Sequence, residues 1–208
     1  MTYPPLLGDS HGQYRIHIVG NSGSGKTTLG KDLSSILGIP HVSLDQLFWQ
    51  SGWATTPPDE FRAKIETFMS EKKETGWIID GEYTRRGGSI VSEHATDVIW
   101  LDPPLLLYFP RIVIRTFLRL FRLRAPCSPG CPERFREVFF SKDSILWWCL
   151  SQHWANARKW RAQMAIIGLG VGAAPPEQQK LRRIGGWGGQ LKAWLQDVKK
   201  LALARKRA

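Results

Sequence analysis

Apolar residues fall along the chain in short blocks, and the length and framing of each block point to the element it forms. Ile16–Val19, His41–Leu44, Gly76–Asp80 and Asp97–Asp102 are brief runs rich in β-branched or aromatic residues, closed by glycine, proline or a carboxylate. That framing suits buried strands, and Lys180–Ile184 reads as a last one. The stretches between them carry the longer period of amphipathic helices. Leu29–Leu37 is a helix stopped by Gly38-Ile39-Pro40. Thr56-Pro-Pro-Asp59 sets proline and an acidic residue where a helix begins, and that helix runs to about Lys73. Leu105–Leu123 is a basic helix, Glu133–Met164 one long helix or two, and Gln190–Lys206 a closing helix. Gln46–Trp53 reads as an aromatic loop or half-turn, Gly81–Gly88 as a turn, Ala125–Pro132 as a loop and Gly168–Pro176 as a linker. Strands alternating with helices build βαβ units, so the expected fold class is α/β, with a parallel sheet of about five strands covered on both faces. Residues 14–208 form one domain on this reading, and residues 1–13 a flexible N-terminal tail.

The turn after the first strand carries chemistry. Gly20-Asn21-Ser22-Gly23-Ser24-Gly25-Lys26-Thr27 satisfies G-x-x-x-x-G-K-[ST], with a strand before it and a helix after. Glycines let the backbone curl so that successive N–H groups converge on a phosphate chain. Lys26 supplies a point charge for the β- and γ-phosphates, and the Thr27 hydroxyl suits Mg²⁺. Thr28 continues the helix, whose N-terminus faces the anion. The expected ligand is a nucleoside triphosphate, ATP with Mg²⁺. No guanine-reading Asn-Lys-x-Asp run is present, and the sequence leaves ATP against GTP open.

Four further groups sit where parallel strands end, the edge at which open α/β sheets bind ligands. Asp80 closes an apolar strand, which suits a Mg²⁺ carboxylate, although aspartate before glycine is also ordinary turn chemistry. Asp45 follows the second strand and either orients and deprotonates an acceptor hydroxyl or caps the next segment. Arg111, Arg115 and Arg119 share one helical face, and no acidic residue falls between Asp102 and Glu133. Arginine forks stabilise the equatorial oxygens of a phosphoryl group in transfer, whereas Arg122 and Arg124 read as a solvated basic face. Cys127 and Cys131, with distant Cys149 and His153, make a poor zinc set and read as ordinary thiols. Among the tryptophans, Trp77 and Trp100 are expected in the core, and Trp147, Trp148 and Trp154 are expected to pack on the sheet. Trp49 and Trp53 flank the acceptor side, where a flat ring can stack on a base.

Composition changes this picture in two places. A net charge of +11 suits anionic ligands, but equally nucleic acid or an acidic membrane surface. Residues Lys180–Ala208 hold nine Lys and Arg against Asp197 alone, which supports an alternative: a nucleotide-regulated, DNA-associated ATPase. No DNA-reading motif accompanies that charge. Three cysteines argue for a reducing compartment, and a cytoplasmic location is expected. The arginines break Leu105–Leu123 below the length of a membrane span, leaving an amphipathic surface helix as a further alternative.

Taken together, these residues resemble a known family. Gly76–Arg86 is similar to the Asp-Gly-x-x-x-Arg strand of adenylate kinase and other nucleoside monophosphate kinases. Val98-Ile-Trp-Leu-Asp-Pro-Pro followed by Arg111 and Arg115 resembles the strand, helix and arginine pair that lead into their lid. The longer run of Ile16–Thr28, Leu44–Trp49 with Gly52-Trp53, Trp77–Tyr83, Ile99–Asp102 and Pro129–Phe135 resembles the "DNA topology modulation" (FlaR-type) P-loop proteins, an adenylate-kinase-like group. The resemblance implies a P-loop NTPase fold with a short lid over about residues 116–135, and transfer of the γ-phosphate of ATP to a small-molecule acceptor. It implies Mg²⁺ at Thr27 and Asp80, Arg85 (or Arg86) on the transferring phosphate, and Arg111 and Arg115 closing over it. Asp80-Gly-Glu-Tyr lacks the Phe-Pro of adenylate kinases, so the acceptor pocket differs. The expected assembly is a monomer or weak dimer.

Overall fold

A computed structural model describes residues 3–121, 123 and 145–207. Five parallel strands form one sheet in the order β2-β5-β1-β6-β7. These are β1 (Arg15–Gly20), β2 (His41–Ser43), β5 (Trp77–Asp80), β6 (Asp97–Asp102) and β7 (Leu181–Gly185). The central strands alternate faces, yet both faces are apolar. Ile16, Ile18, Ile78, Ile99 and Leu101 point into one core, and Val19, Trp77, Ile79, Val98 and Trp100 into the other. A sheet covered on both sides requires this near-continuous hydrophobicity.

Helix α1 (Lys26–Leu37) contributes Leu29 and Leu33 to the first core, and α7 (Gly189–Arg207) adds Trp194 and Val198. The second core takes Phe61 and Ile65 from α3 (Pro58–Glu71), Ile90 and Val91 from α4 (Ser89–His94), and Trp160 from α6 (Ile145–Ile167). Helix α5 (Leu105–Leu120) inserts Tyr108 and Ile112 against Cys149 of α6. No described helix is long and apolar enough to cross a membrane.

The structure departs from the sequence reading in four places. Leu44 is helical, not strand: α2 (Leu44–Phe48) starts there, and Trp49–Gln50 (β3) then pairs antiparallel with Ala54–Thr55 (β4) where a loop was expected. Trp147 and Trp154, expected to pack on the sheet, are 61% and 64% exposed. The short helix α4 had no sequence signal of its own. Finally, the segment expected to be a flexible tail docks from residue 3 onward. Leu6 is buried, and the Leu7 and Gly8 amides donate to the Asp97 carboxylate at 2.7 and 3.1 Å. Burial raises the pKa of Asp97, and those amides with the Thr96 hydroxyl oppose the rise.

Candidate functional site

The turn from β1 to α1 holds three glycines in the left-handed region: Gly20 (φ +141°), Gly23 (φ +76°) and Gly25 (φ +101°). Two of them also permit a close approach. A Cβ on Gly20 would stand 2.5 Å from the Leu101 carbonyl oxygen, and one on Gly23 would stand 2.3 Å from Ile112 Cγ1. The loop is therefore wedged between the end of β6 and helix α5. Gly25 caps α1, whose first turn carries no acidic side chain, so the positive end of the helix dipole is open to an anion. Lys26 Nζ donates to the carbonyls of Gly20 (2.9 Å) and Asn21 (3.0 Å), which holds the ammonium over the loop.

Asp80 ends β5 beside this loop and is 1% exposed. Its Oδ1 accepts from Thr27 Oγ1 and from Ser43 Oγ, both at 3.2 Å, and its Oδ2 accepts from His41 Nε2 at 2.7 Å. The register places Ser43 of β2 directly opposite Asp80. This arrangement fits a magnesium ion in a particular way. Thr27 spends its proton on Asp80, so its oxygen lone pairs are free to face a cation. Asp80 already accepts three hydrogen bonds, which favours contact with the ion through a water over direct ligation. Among the described residues no group of three or more His, Cys, Asp or Glu is placed to hold a metal ion.

Two helices bracket the loop from behind. Asn21 Nδ2 donates to Tyr108 Oη on α5 at 2.9 Å and to the Cys149 carbonyl on α6 at 3.0 Å, while Asn21 Oδ1 accepts the Ser22 amide at 2.8 Å. Tyr108 Oη continues to His153 Nδ1 at 2.6 Å. Burial pushes the Tyr108 phenol up to about 12 and the Cys149 thiol up to about 11, so both stay protonated at neutral pH. Arg115 reaches Ser22 Oγ through Nη2 at 3.4 Å, whereas Arg111 is exposed on α5. The Arg85 side chain, Arg122, Arg124, Cys127, Cys131 and most of the expected lid lie outside the described residues.

On the acceptor side, Asp45 lies in the first turn of α2, two residues beyond Ser43. Tyr83 Oη donates to Asp45 Oδ1 at 2.7 Å, and the Tyr83 ring packs on Phe48 with centroids 4.5 Å apart. The Arg86 guanidinium sits 5.3 Å from the centre of the Phe48 ring. Trp49 and Trp53 meet edge-to-face at 5.3 Å, and Trp53 takes a positive φ of 64°. Glu82 accepts from Lys159 Nζ and, at 2.6 Å, from Trp160 Nε1, which ties α6 to the turn after β5.

Sequence reasoning singled out Asn21, Lys26, Thr27, Asp45, Asp80 and Arg115, and the structure brings them to one end of the sheet. It missed His41, Ser43, Tyr83 and Glu82. One signal for His41 was available: Gly30 interrupts α1, and a Cβ there would lie 2.4 Å from His41 Nε2. A helix-interior glycine costs about 1 kcal/mol against alanine and calls for a packing reason.

No family model matches the chain. A curated bifunctional shikimate kinase/3-dehydroquinate synthase of Thermotoga maritima is 26% identical over 137 residues, 60% of this chain and 26% of that protein. The shared stretch is thus about a quarter of that relative. The shikimate kinase of Acinetobacter baumannii, solved with shikimate, superposes with a TM-score of 0.51 at 16% identity, covering 93% of this chain and 95% of that one. A gluconokinase from Sinorhizobium meliloti gives a TM-score of 0.48 at 14% identity, covering 93% and 95%. The likeness to the shikimate kinase establishes the α/β fold of a P-loop kinase with a five-stranded parallel sheet.

Proposed function

We propose that the chain is a phosphotransferase that moves the γ-phosphate of ATP to a small-molecule acceptor, with Mg²⁺ as its cofactor. The observation that carries this reading is the cluster at the C-terminal ends of β1, β2 and β5. There a phosphate-binding loop, a threonine–aspartate pair and a second carboxylate converge, with Lys26, Thr27, Asp80 and Asp45 as the central side chains. The kinase names of the similar proteins agree with it.

Gly20–Thr28 cradle the β- and γ-phosphates through backbone amides, and Lys26 neutralises charge there. Thr27 and Asp80 would hold magnesium here, and the ion would supply charge to draw electron density off the phosphate oxygens. The acceptor hydroxyl attacks the γ-phosphorus as its proton passes to the Asp45 carboxylate, and the bond to the β–γ bridging oxygen breaks to release ADP. Tyr83 donates to the Asp45 carboxylate and steadies it on the acceptor side. Arg115, anchored at Ser22, joins Arg85 and Arg111 in countering charge on the transferring group and in keeping water out. On the motif run from Ile16 to Phe135 the chain belongs with the FlaR-type adenylate-kinase-like proteins, acting in the cytoplasm as a monomer or weak dimer.

Incubation with γ-labelled ATP, Mg²⁺ and a panel of nucleosides, nucleoside monophosphates, sugars and hydroxy acids tests the reading. Label is expected in one acceptor class. Slow release of inorganic phosphate with no labelled acceptor would overturn it in favour of an ATPase.

A further inference from the structure

Asp80 is held from a third side by a residue outside the loop motif and outside the strand that carries it. His41 opens β2, and its side chain is 10% exposed. Its Nε2 lies 2.7 Å from Asp80 Oδ2, the shortest contact this carboxylate makes. A carboxylate oxygen only accepts, so Nε2 carries the proton and donates. Room for the ring comes from Gly30, where a Cβ would stand 2.4 Å from Nε2 and 2.5 Å from Cδ2. Alanine there would favour the helix, yet it would fill the space the imidazole occupies. Two choices in the chain, a glycine inside α1 and a histidine at the start of β2, therefore serve one hydrogen bond.

The consequence reaches Thr27. A carboxylate free to rotate about its Cβ–Cγ bond can offer either oxygen to the threonine. With Oδ2 taken by His41, only Oδ1 is left for Thr27 and Ser43. The Thr27 hydroxyl then points its proton one way and its lone pairs the other. We propose that His41 is a positioning residue for the metal half of the phosphate site: by fixing the Asp80 carboxylate it sets the Thr27 oxygen, and the water held by Asp80, for a divalent cation delivered with the nucleotide. This rests on the assignment of Thr27 and Asp80 to magnesium. Partners that orient metal-holding groups change metal affinity by about 10–100-fold when removed.

The test measures Mn²⁺ binding to the protein–ADP complex by electron paramagnetic resonance, alongside ADP affinity in EDTA. In H41L, Mn²⁺ affinity is expected to fall at least about tenfold while metal-free ADP affinity stays within about twofold. H41Q keeps a donor at similar reach and is expected to recover most of the Mn²⁺ affinity. G30A leaves His41 and Asp80 in the chain but evicts the ring, so it should reproduce the H41L defect, and it serves if H41L fails to fold. Unchanged Mn²⁺ affinity in a folded H41L or G30A protein overturns the inference, as does an equal loss in H41Q and H41L, which marks His41 as filler. T27A and D80N separate the underlying assignment. If both bind Mn²⁺ like the parent protein, the metal reading itself falls and the inference falls with it. If they lose Mn²⁺ while H41L does not, the inference alone is overturned.

Discussion

His17 sits on β1 with Nε2 donating to the Gly81 carbonyl at 2.8 Å and Nδ1 accepting from the Ser92 hydroxyl at 2.7 Å. Burial, the dominant cause, pushes its pKa down to about 4 from 6.5. Between those values the unfolded chain binds a proton that the folded chain refuses, so stability falls as pH drops from 6.5 towards 4. A shift of that size corresponds to about 3 kcal/mol at most. In H17Q the denaturation midpoint should depend less steeply on pH over this window, and an unchanged slope would exclude His17 as the source. At the site itself, Asp45 tests the acceptor chemistry. D45N keeps an oxygen for Tyr83 but cannot take a proton, so kcat for the labelled acceptor should fall about 10²–10⁴-fold with ATP affinity unchanged. A fall below threefold would leave Asp45 with a purely structural part. Lys26, Thr27 and Asp80 could be picked out of the sequence because a loop motif and a strand end mark them, and the structure places them side by side. His41 and Glu82 could not, because their partners, Asp80 and Lys159, lie 39 and 77 residues away along the chain.

At the scale of elements, strands and long helices were readable from periodicity, and the failures have physical causes. Leu44 continues an apolar run, yet β2 stops at Ser43, whose hydroxyl is drawn to Asp80, and the Leu44 side chain is buried from a helix. The N-terminal segment lacked any pattern because its anchors are backbone amides on Asp97, which no side-chain periodicity reports. The contact of the phosphate loop with α5 is the element-level feature with the sharpest consequence. Gly23 combines φ +76° with Ile112 at 2.3 Å from an added Cβ. Left-handed backbone costs an L-residue about 1–2 kcal/mol, and Ile112 is fully buried and cannot simply swing away. G23A should therefore lower stability by about 2 kcal/mol or more and weaken ATP binding at least tenfold, because relief of the clash opens the loop. Chemical denaturation and isothermal titration check both. A variant destabilised but with normal ATP affinity would show that the loop keeps its shape without α5.

At the scale of the whole molecule, the surplus of +11 invites a nucleic-acid partner, and the fold shows where much of that charge is spent. Lys180 donates to the carbonyls of Glu93 and Ala95 at 3.0 Å, and Arg182 donates to Pro4 O. Arg183 pairs with Asp102, Lys200 pairs with Asp197, and Arg205 lies over the Tyr14 ring. Lys180, Arg182, Arg183 and Arg205 tie the last strand and α7 to neighbouring elements and to the N-terminal segment, whereas the Lys200–Asp197 pair is an exposed contact within α7. Among the described side chains of α7, Lys192 and Lys199 are exposed and bond to no other element, a small number for gripping a duplex. Each phosphate contact adds about 0.9 to the slope of log affinity against log salt, so about two contacts give a slope near 2. Duplex DNA should therefore bind weakly at low salt and leave the protein by about 0.15 M salt, with no dependence on ATP. Fluorescence anisotropy across a salt series measures this directly. A slope of about 6 or more, with binding that persists at physiological salt and responds to ATP, would mean that charges now tied into the fold are released to DNA. It would also turn the reading of the chain from a small-molecule kinase to a nucleotide-controlled DNA binder.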